Sequence, residues 1–303
     1  MINGVKEKIK KLKIEKNAVI LAHYYVSEEV QEIADYIGDS YYLAKIAKQS
    51  SADIIVFCGV SFMGESAKVL NPNKKVLMPD MNADCPMAHM ATKEKIESMR
   101  KQYDDLAVVC YINSTAALKC MSDVCVTSSN AVKIVRSLPN KNIFFIPDKN
   151  LGSYVAKQVP EKNIIINDGY CPIHAAISLN EVLAEKENHP SAKILSHPEC
   201  EREILEVSDF IGSTADIIKY VAQSCDKDFI ICTEDGVLYE LRMENPEKKF
   251  YFPMTRPVCL DMKLITLDKV REVLENETNA VEVLENVRKG AILPLEKMLE
   301  LAK

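Results

Sequence analysis

Asp168-Gly169-Tyr170-Cys171-Pro172-Ile173-His174 follows the apolar run Ile164-Ile165-Ile166 and sets a cysteine and a histidine three residues apart in a loop. Alone, the pair reads as half of a zinc site. Cys85, in Asp84-Cys85-Pro86-Met87, lies 86 residues earlier (85 to 171), and Cys259, in Pro257-Val258-Cys259-Leu260, lies 88 residues later (171 to 259). Three cysteines at nearly one period point to a repeated unit.

Other segments obey the same offsets. Residues 34–40, 122–128 and 208–214 align without gaps, each ending in a hydroxyl residue (Ser40, Ser128, Thr214) ahead of a helix-period run. Upstream, His23-Tyr24-Tyr25, Tyr111-Ile112-Asn113 and His197-Pro198-Glu199 also correspond, each just past a short β-branched apolar run. Such runs (Ala18–Leu21, Ile54–Phe57, Leu106–Val109, Ile143–Ile146, Phe229–Cys232) alternate with helix-period segments, the pattern of parallel strands covered on both faces. The expected fold is α/β: three homologous αβα units, 1–95, 96–180 and 181–265, in a pseudo-threefold arrangement around a central site, followed by a C-terminal helical cap, 266–303. Ligands of open parallel sheets sit beyond the carboxyl ends of the strands, so three units whose strand ends converge would pool their polar residues in one cavity.

The chain has 303 residues, 48% hydrophobic and 27% charged, enough for a large core. A net charge of −6 and the lack of a basic stripe argue against a nucleic-acid partner. No run approaches the roughly 18 apolar residues of a membrane span, and the charged start around Lys6, Glu7 and Lys8 does not read as a secretory leader. A cytoplasmic protein whose ten cysteines are reduced thiols or metal ligands is expected.

Among those cysteines, Cys58, Cys110, Cys125 and Cys232 fall inside strand-like runs and read as small core residues, and Cys120, Cys200 and Cys225 as packing residues. Cys85, Cys171 and Cys259 stand apart, in equivalent loops after the last strand of each unit. Soft thiolates select zinc or iron-sulfur clusters, and a closed zinc site would need four ligands. Three isolated cysteines suit a [4Fe-4S] cluster with one iron left without a protein thiolate, free to act as a Lewis acid. His23 and His197 can donate to carboxylate or phosphate or shuttle protons, and Glu199 is the candidate general base. Tyr25, Tyr111 and Asn113 offer hydrogen bonds, while Ser40, Ser128, Ser213 and Thr214 precede helices, where a hydroxyl can cap the helix and free amides can hold an anion. His174 reads as support behind the cluster ligands; Asp80, Glu65, Asp148 and Glu234 are lesser candidates near other strand exits. His89 and His189 read as surface residues.

With these motifs in order, Ala22–Tyr25, Gly38-Asp39-Ser40, Cys85-Pro86-Met87, Tyr111–Thr115, Thr127–Val132, Pro147–Gly152, Cys171–His174, His197–Cys200, Gly212-Ser213-Thr214 and Cys259, the chain resembles the quinolinate synthase (NadA) family over nearly its whole length. The resemblance implies a [4Fe-4S] enzyme of NAD biosynthesis that condenses iminoaspartate with dihydroxyacetone phosphate to quinolinate, releasing phosphate and two waters. Carried over, Cys85, Cys171 and Cys259 become the cluster ligands. His23, Ser40, Tyr111, Asn113, Ser128, His197, Glu199, Ser213 and Thr214 become the substrate-holding set, with Tyr25, Glu199 and His23 as the catalytic groups. Some members carry further cysteines in a CxxC beside the third ligand; Cys259 has no such neighbour, so no thiol switch is expected there. Because the precursor is unstable in water, a closing lid and transient handover from L-aspartate oxidase or dehydrogenase are expected. The rival readings are a cluster-dependent hydro-lyase acting on one hydroxy acid and a non-catalytic iron-sulfur redox protein.

Overall fold

The computed structural model describes residues 2–303. Its twelve strands form three parallel sheets of four, each with the same strand order. The first holds β1 (Ala18–His23), β2 (Tyr36–Gly38), β3 (Ile54–Cys58) and β4 (Lys75–Leu77) in the order β2-β1-β3-β4. The second holds β5 (Leu106–Tyr111), β6 (Val124–Val126), β7 (Asn142–Ile146) and β8 (Asn163–Ile166) in the order β6-β5-β7-β8. The third holds β9 (Lys193–Ser196), β10 (Phe210–Ile211), β11 (Asp228–Cys232) and β12 (Lys249–Tyr251) in the order β10-β9-β11-β12.

Sequence explains this architecture directly. β3 and β5 are buried along their entire lengths, as strands must be when helices cover both faces. Registers repeat too: His23 pairs with Gly38, Tyr111 with Val126 and Ser196 with Ile211, so equivalent strands end at equivalent heights. In each unit the chain leaves the first strand for one neighbour and then crosses back to the other. The switch point of each sheet therefore lies between its first and third strands, at their carboxyl ends, and a crevice opens there.

The core is divided unequally. One continuous cluster joins the first and second units with the C-terminal region, from Ile20 and Phe57 through Val109 and Phe145 to Leu274 and Leu295. The third sheet has two smaller clusters, one centred on Phe229, Ile231 and Leu241 and one on Ile194, Ile204 and Ile230. The C-terminal region is more deeply built in than a cap laid on the surface. After the helix Leu267–Asn276, Glu277 and Asn279 take left-handed backbone, φ 53° and 57°, which ends the helix. The next residues pair antiparallel with the edge strand β4: Val281 N–H donates to Val76 O (2.8 Å) and Met78 N–H to Asn279 O (3.1 Å). Residues from Ala280 onward read as helix in the sequence; the structure delays that helix to Glu285–Leu301, because backbone pairing with β4 claims Ala280 and Val281 first.

None of the helices, among the described residues, is long and apolar enough to cross a membrane. The helix Glu285–Leu301 packs on the helix Ala116–Cys120, and Gly290 makes the approach: a Cβ there would overlap Cys120 Sγ and lie 3.2 Å from Cys120 Cβ. Gly290→Ala is therefore expected to destabilise the fold by about 1–3 kcal/mol through overpacking. Cys120→Ala should recover part of that loss in the double variant, measured by urea unfolding. Simple additivity of the two changes would mean that the contact does not set the helix spacing.

Candidate active site

Where the strand ends of the three sheets meet there is a cavity of about 840 Å³ of empty space, mouth included. Every unit contributes to it. The loops after β4, β8 and β12 bring Cys85, Cys171 and Cys259 to its wall, each at the start of a short helical turn that begins one residue later. All ten cysteines are free thiols. The four expected in the core, Cys58, Cys110, Cys125 and Cys232, are fully buried in strands, and Cys225 is exposed.

The first strands supply the polar groups. β1 ends at His23, and Tyr25 N–H donates to His23 Nδ1 (3.2 Å); β9 ends one residue before His197, and Glu199 N–H donates to His197 Nδ1 (3.3 Å). The same two-residue turn thus recurs: it sets His23 Nδ1 as acceptor with the proton on Nε2, whereas His197 Nδ1 lies between the Glu199 N–H and Glu199 Oε2. Burial lowers both imidazoles, His23 to about 3, so both are neutral donors at pH 7. His197 Nε2 reaches Ser128 Oγ of the second unit at 3.1 Å.

Glu199 lies in this turn, 3% exposed, well ahead of the nearest helix, Arg202–Glu206. Its Oε2 sits 2.9 Å from His174 Nδ1 and 3.2 Å from His197 Nδ1, while its Oε1 is buried with no protein partner. Burial works to raise its pKa, but the histidines outweigh it and hold the carboxylate well below the usual range. His174, stacked on His197 with ring centroids 4.7 Å apart, also lies 3.2 Å from Cys171 Sγ and places Nε2 2.9 Å from Thr233 Oγ1. Thr233 in turn lies 2.9 Å from Tyr25 Oη, which is 2.7 Å from Thr214 Oγ1. A continuous chain of proton-carrying groups therefore runs from Glu199 through His174 and Thr233 to Tyr25. Burial keeps the Tyr25 phenol far above its ordinary pKa, hence protonated.

Helix starts line another side. Ser40 opens the helix Ser40–Gln49 behind the cap Asp39, and Thr214 opens the helix Thr214–Gln223 behind the cap Ser213. Ser40, Ser128 and Thr214 line the cavity, with Tyr111 and Asn113, whose Oδ1 is buried and unpartnered. Ser213 does not: its hydroxyl donates to Asp216 Oδ2 (2.6 Å) and accepts from Asp216 N–H (3.2 Å) in a capping box. Asp80 pairs with Lys269, and Glu65 accepts the N–H of Ala116 (2.7 Å); neither lines the cavity. Glu234 is in its wall, and Asp148 lies buried behind Cys171. Thr233, Asp39 and Lys263 escaped the sequence reading. Thr233 could not have been found by the repeat, because the 86-residue offset places it opposite Pro147.

The electrostatics are one-sided. Among the described residues, none that line the cavity is Lys or Arg, whereas Asp39, Asp84, Glu199, Glu234 and Asp261 do. Lys263, the nearest ammonium in the network, is engaged behind the wall by Glu234 (3.0 Å), Asp235 (3.2 Å) and Tyr25 O (2.8 Å). Burial pushes the Cys85 and Cys171 thiols far up and Cys259 to about 11. Three thiols that burial keeps protonated, beside carboxylates and neutral imidazoles, make a soft donor set that lacks its positive charge; a thiophilic metal centre supplies that charge and deprotonates the thiols. Cys171, His174 and Glu199 also present one donor each within 4.8 Å of one another. The His174 Nδ1 shared by Cys171 and Glu199 accounts for that proximity through hydrogen bonding.

Comparison with known proteins agrees. Residues 7–300 match the family described as Quinolinate synthetase A protein. The chain is 54% identical over 298 residues to the quinolinate synthase of Fusobacterium nucleatum, covering 98% of this chain and 99% of that one. It is 52% identical over 301 residues to that of Caldicellulosiruptor saccharolyticus, with 99% of each chain covered. A third relative, the quinolinate synthase of Clostridioides difficile, is 50% identical over 295 residues, 97% of each chain. With three like sheets, one shared cavity and a match along almost its entire length, the chain belongs to the quinolinate synthetase A family.

Proposed function

We propose that the protein is a quinolinate synthase of NAD biosynthesis, joining iminoaspartate and dihydroxyacetone phosphate into quinolinate with loss of phosphate and two waters. The observation that carries this reading is the meeting of three thiols, two helix starts and the Glu199 proton chain at one cavity, in a chain of this family. Cys85, Cys171 and Cys259 would hold a [4Fe-4S] cluster. When bound, the cluster supplies a positive Lewis-acidic iron that favours departure of hydroxide.

The chain's own residues do the rest. Ser40 and Thr214, at helix starts, bind the anionic ends of the substrates with hydroxyl and amide donors, and Ser128 adds a hydroxyl from the turn before the helix Ala131–Ser137. His23 presents Nε2–H as a neutral donor, neutral His197 turns Nε2 toward Ser128, and Tyr111 and Asn113 orient the remaining polar atoms, so that the two pieces are held for carbon-carbon bond formation. Ser213 serves through its cap on Asp216, which orders the turn that presents Thr214. Glu199, with a free Oε1 in a dry wall, takes protons from carbon; His174 and Thr233 connect it to Tyr25, which returns a proton to a departing oxygen. The units divide at 1–95, 96–180 and 181–265, with 266–303 closing the first two. A lid that shuts over the cavity, and direct receipt of the unstable imine from an L-aspartate oxidase or dehydrogenase, would limit hydrolysis.

Anaerobic reconstitution with iron and sulfide followed by assay with both substrates tests the proposal; cluster-loaded protein that forms no quinolinate would refute it. Cys171→Ala should abolish the four-iron electron paramagnetic signal and Cys58→Ala should leave it, so equal effects would contradict the ligand assignment. Glu199→Gln should cut turnover by about 10²-fold or more while cluster content stays unchanged.

His23 gives a test in the metal-free protein. Its pKa falls from 6.5 to about 3 on folding, so between those values the unfolded chain binds a proton that the folded chain does not. Stability from neutral His23 is complete above pH 6.5 and drains away at about 1.4 kcal/mol per pH unit as the pH falls toward 3. His23→Gln should flatten that slope in urea titrations; an unchanged slope would mean that His23 is not held neutral.

A further inference from the structure

Asp148 and Glu234 occupy equivalent places in the second and third units, two residues past the ends of β7 and β11. They are 0% and 1% exposed. Burying a carboxylate carries a heavy desolvation cost unless its oxygens are fully used. Both residues use them on two backbone N–H groups each, and Glu234 Oε1 also meets Lys263 Nζ (3.0 Å). Asp148 Oδ1 accepts from Leu151 N–H (2.6 Å), capping the helix Lys149–Gln158, and its Oδ2 accepts from Cys171 N–H (3.2 Å). Glu234 Oε2 accepts from Gly236 N–H (2.7 Å), and its Oε1 accepts from Cys259 N–H (3.0 Å). One oxygen grips the chain just after the residue itself; the other crosses 23 residues to Cys171 or 25 residues to Cys259 (148 to 171, 234 to 259). Two side chains of different length reach the same end.

The first unit is built otherwise. Its equivalent position is Val60, and the loop before Cys85 is held by Ser61, whose N–H donates to Ala83 O (2.8 Å) and whose hydroxyl donates to Asp84. The Cys85 N–H meets no such carboxylate. Backbone angles follow the difference: Cys171 and Cys259 sit at φ −80° and −86°, Cys85 at φ −120°.

We propose that Asp148 and Glu234 are positioning residues for the thiols of Cys171 and Cys259, each tying the cysteine's N–H to the rigid strand end of its own unit and so setting the direction of the sulfur. This rests on the reading of the three cysteines as cluster ligands. Groups behind metal ligands commonly change metal retention by 10–100-fold when removed. Here the effect is selective by unit: loss of Asp148 frees the second loop, loss of Glu234 frees the third, and the Cys85 loop keeps its own tether through Ser61.

Pulsed alkylation of the metal-free protein, with mass spectrometry of each cysteine peptide, reads this directly. Asp148→Ala should raise the iodoacetamide rate at Cys171 about tenfold and leave Cys85 and Cys259 near their wild-type rates; Glu234→Ala should do the same at Cys259 alone. Asp105→Ala serves as control, since Asp105 accepts Lys141 N–H (2.8 Å) and an Asn140 Nδ2 hydrogen (2.7 Å) ahead of β5 and β7, at the opposite strand ends from the cysteine loops. Should the alanine variants fail to fold, Asp148→Asn and Glu234→Gln keep the shape but only one acceptor, and a smaller rise at the same single cysteine is expected. After anaerobic reconstitution, chelator-driven iron loss should be about tenfold faster in each variant. An equal rise at all three cysteines, or no rise beyond Asp105→Ala, overturns the inference. Wild-type protein that takes up no iron would refute the cluster reading instead, and the alkylation rates would still judge the tether.

Discussion

Parallel pairing is the constraint from which the site follows. Strands that all run one way must all end on one side, and the order β2-β1-β3-β4, repeated in all three sheets, opens a crevice at the same end of each. A unit of this kind buries its central strands on both faces and brings polar residues together at its strand exits. Joining three such ends yields a cavity whose wall is polar and whose surroundings are dry. The chemistry is gathered by topology before any single residue is considered.

That arrangement also explains what could be read from the chain. Runs such as Leu106–Tyr111 are buried on both faces, so they show as continuous apolar stretches, and the 86- and 88-residue offsets exposed the three cysteines, the two histidines and the hydroxyl residues together. Contacts that arise only when units meet left no such trace. Thr233, from the third unit, bridges Tyr25 of the first and His174 of the second, yet nothing local distinguishes it from any threonine after a strand. Ser213 and Thr214 were indistinguishable as neighbouring hydroxyls; packing decides between them, giving Ser213 to the capping box and Thr214 to the cavity. Helical periodicity in Ala280–Val287 lost to edge pairing with β4, because an open strand edge offers backbone hydrogen bonds that a short helix start cannot match there.

Proton placement is set by backbone as much as by side chains. In two units the N–H of the residue two past a histidine meets its Nδ1; at His23 this leaves the proton on Nε2, and at His197 the Glu199 carboxylate competes for the same Nδ1. A histidine poised near neutrality would gain a charge with small pH changes and repel or trap substrate accordingly. Burial removes that freedom from His23 and His197 and leaves fixed neutral donors, while the burden of moving protons passes to Glu199 and the hydroxyl chain beyond His174.

Charge balance then links the cofactor to the substrates in the proposed reaction. A wall with five carboxylates and no Lys or Arg is a poor host for a phosphate ester and a dicarboxylate if side chains alone are counted. Burial raises Asp39, and it raises Glu234 to about 7 against the pull of Lys263, which lightens the negative load. Helix starts at Ser40 and Thr214 add partial positive charge without a titrating group. In the proposed reaction the rest of the anion binding would fall to the open iron of the cluster at the three cysteines, together with hydroxyls and neutral donors. The scarcity of Lys and Arg in the wall would then leave the anions held beside the unpartnered Oε1 of Glu199.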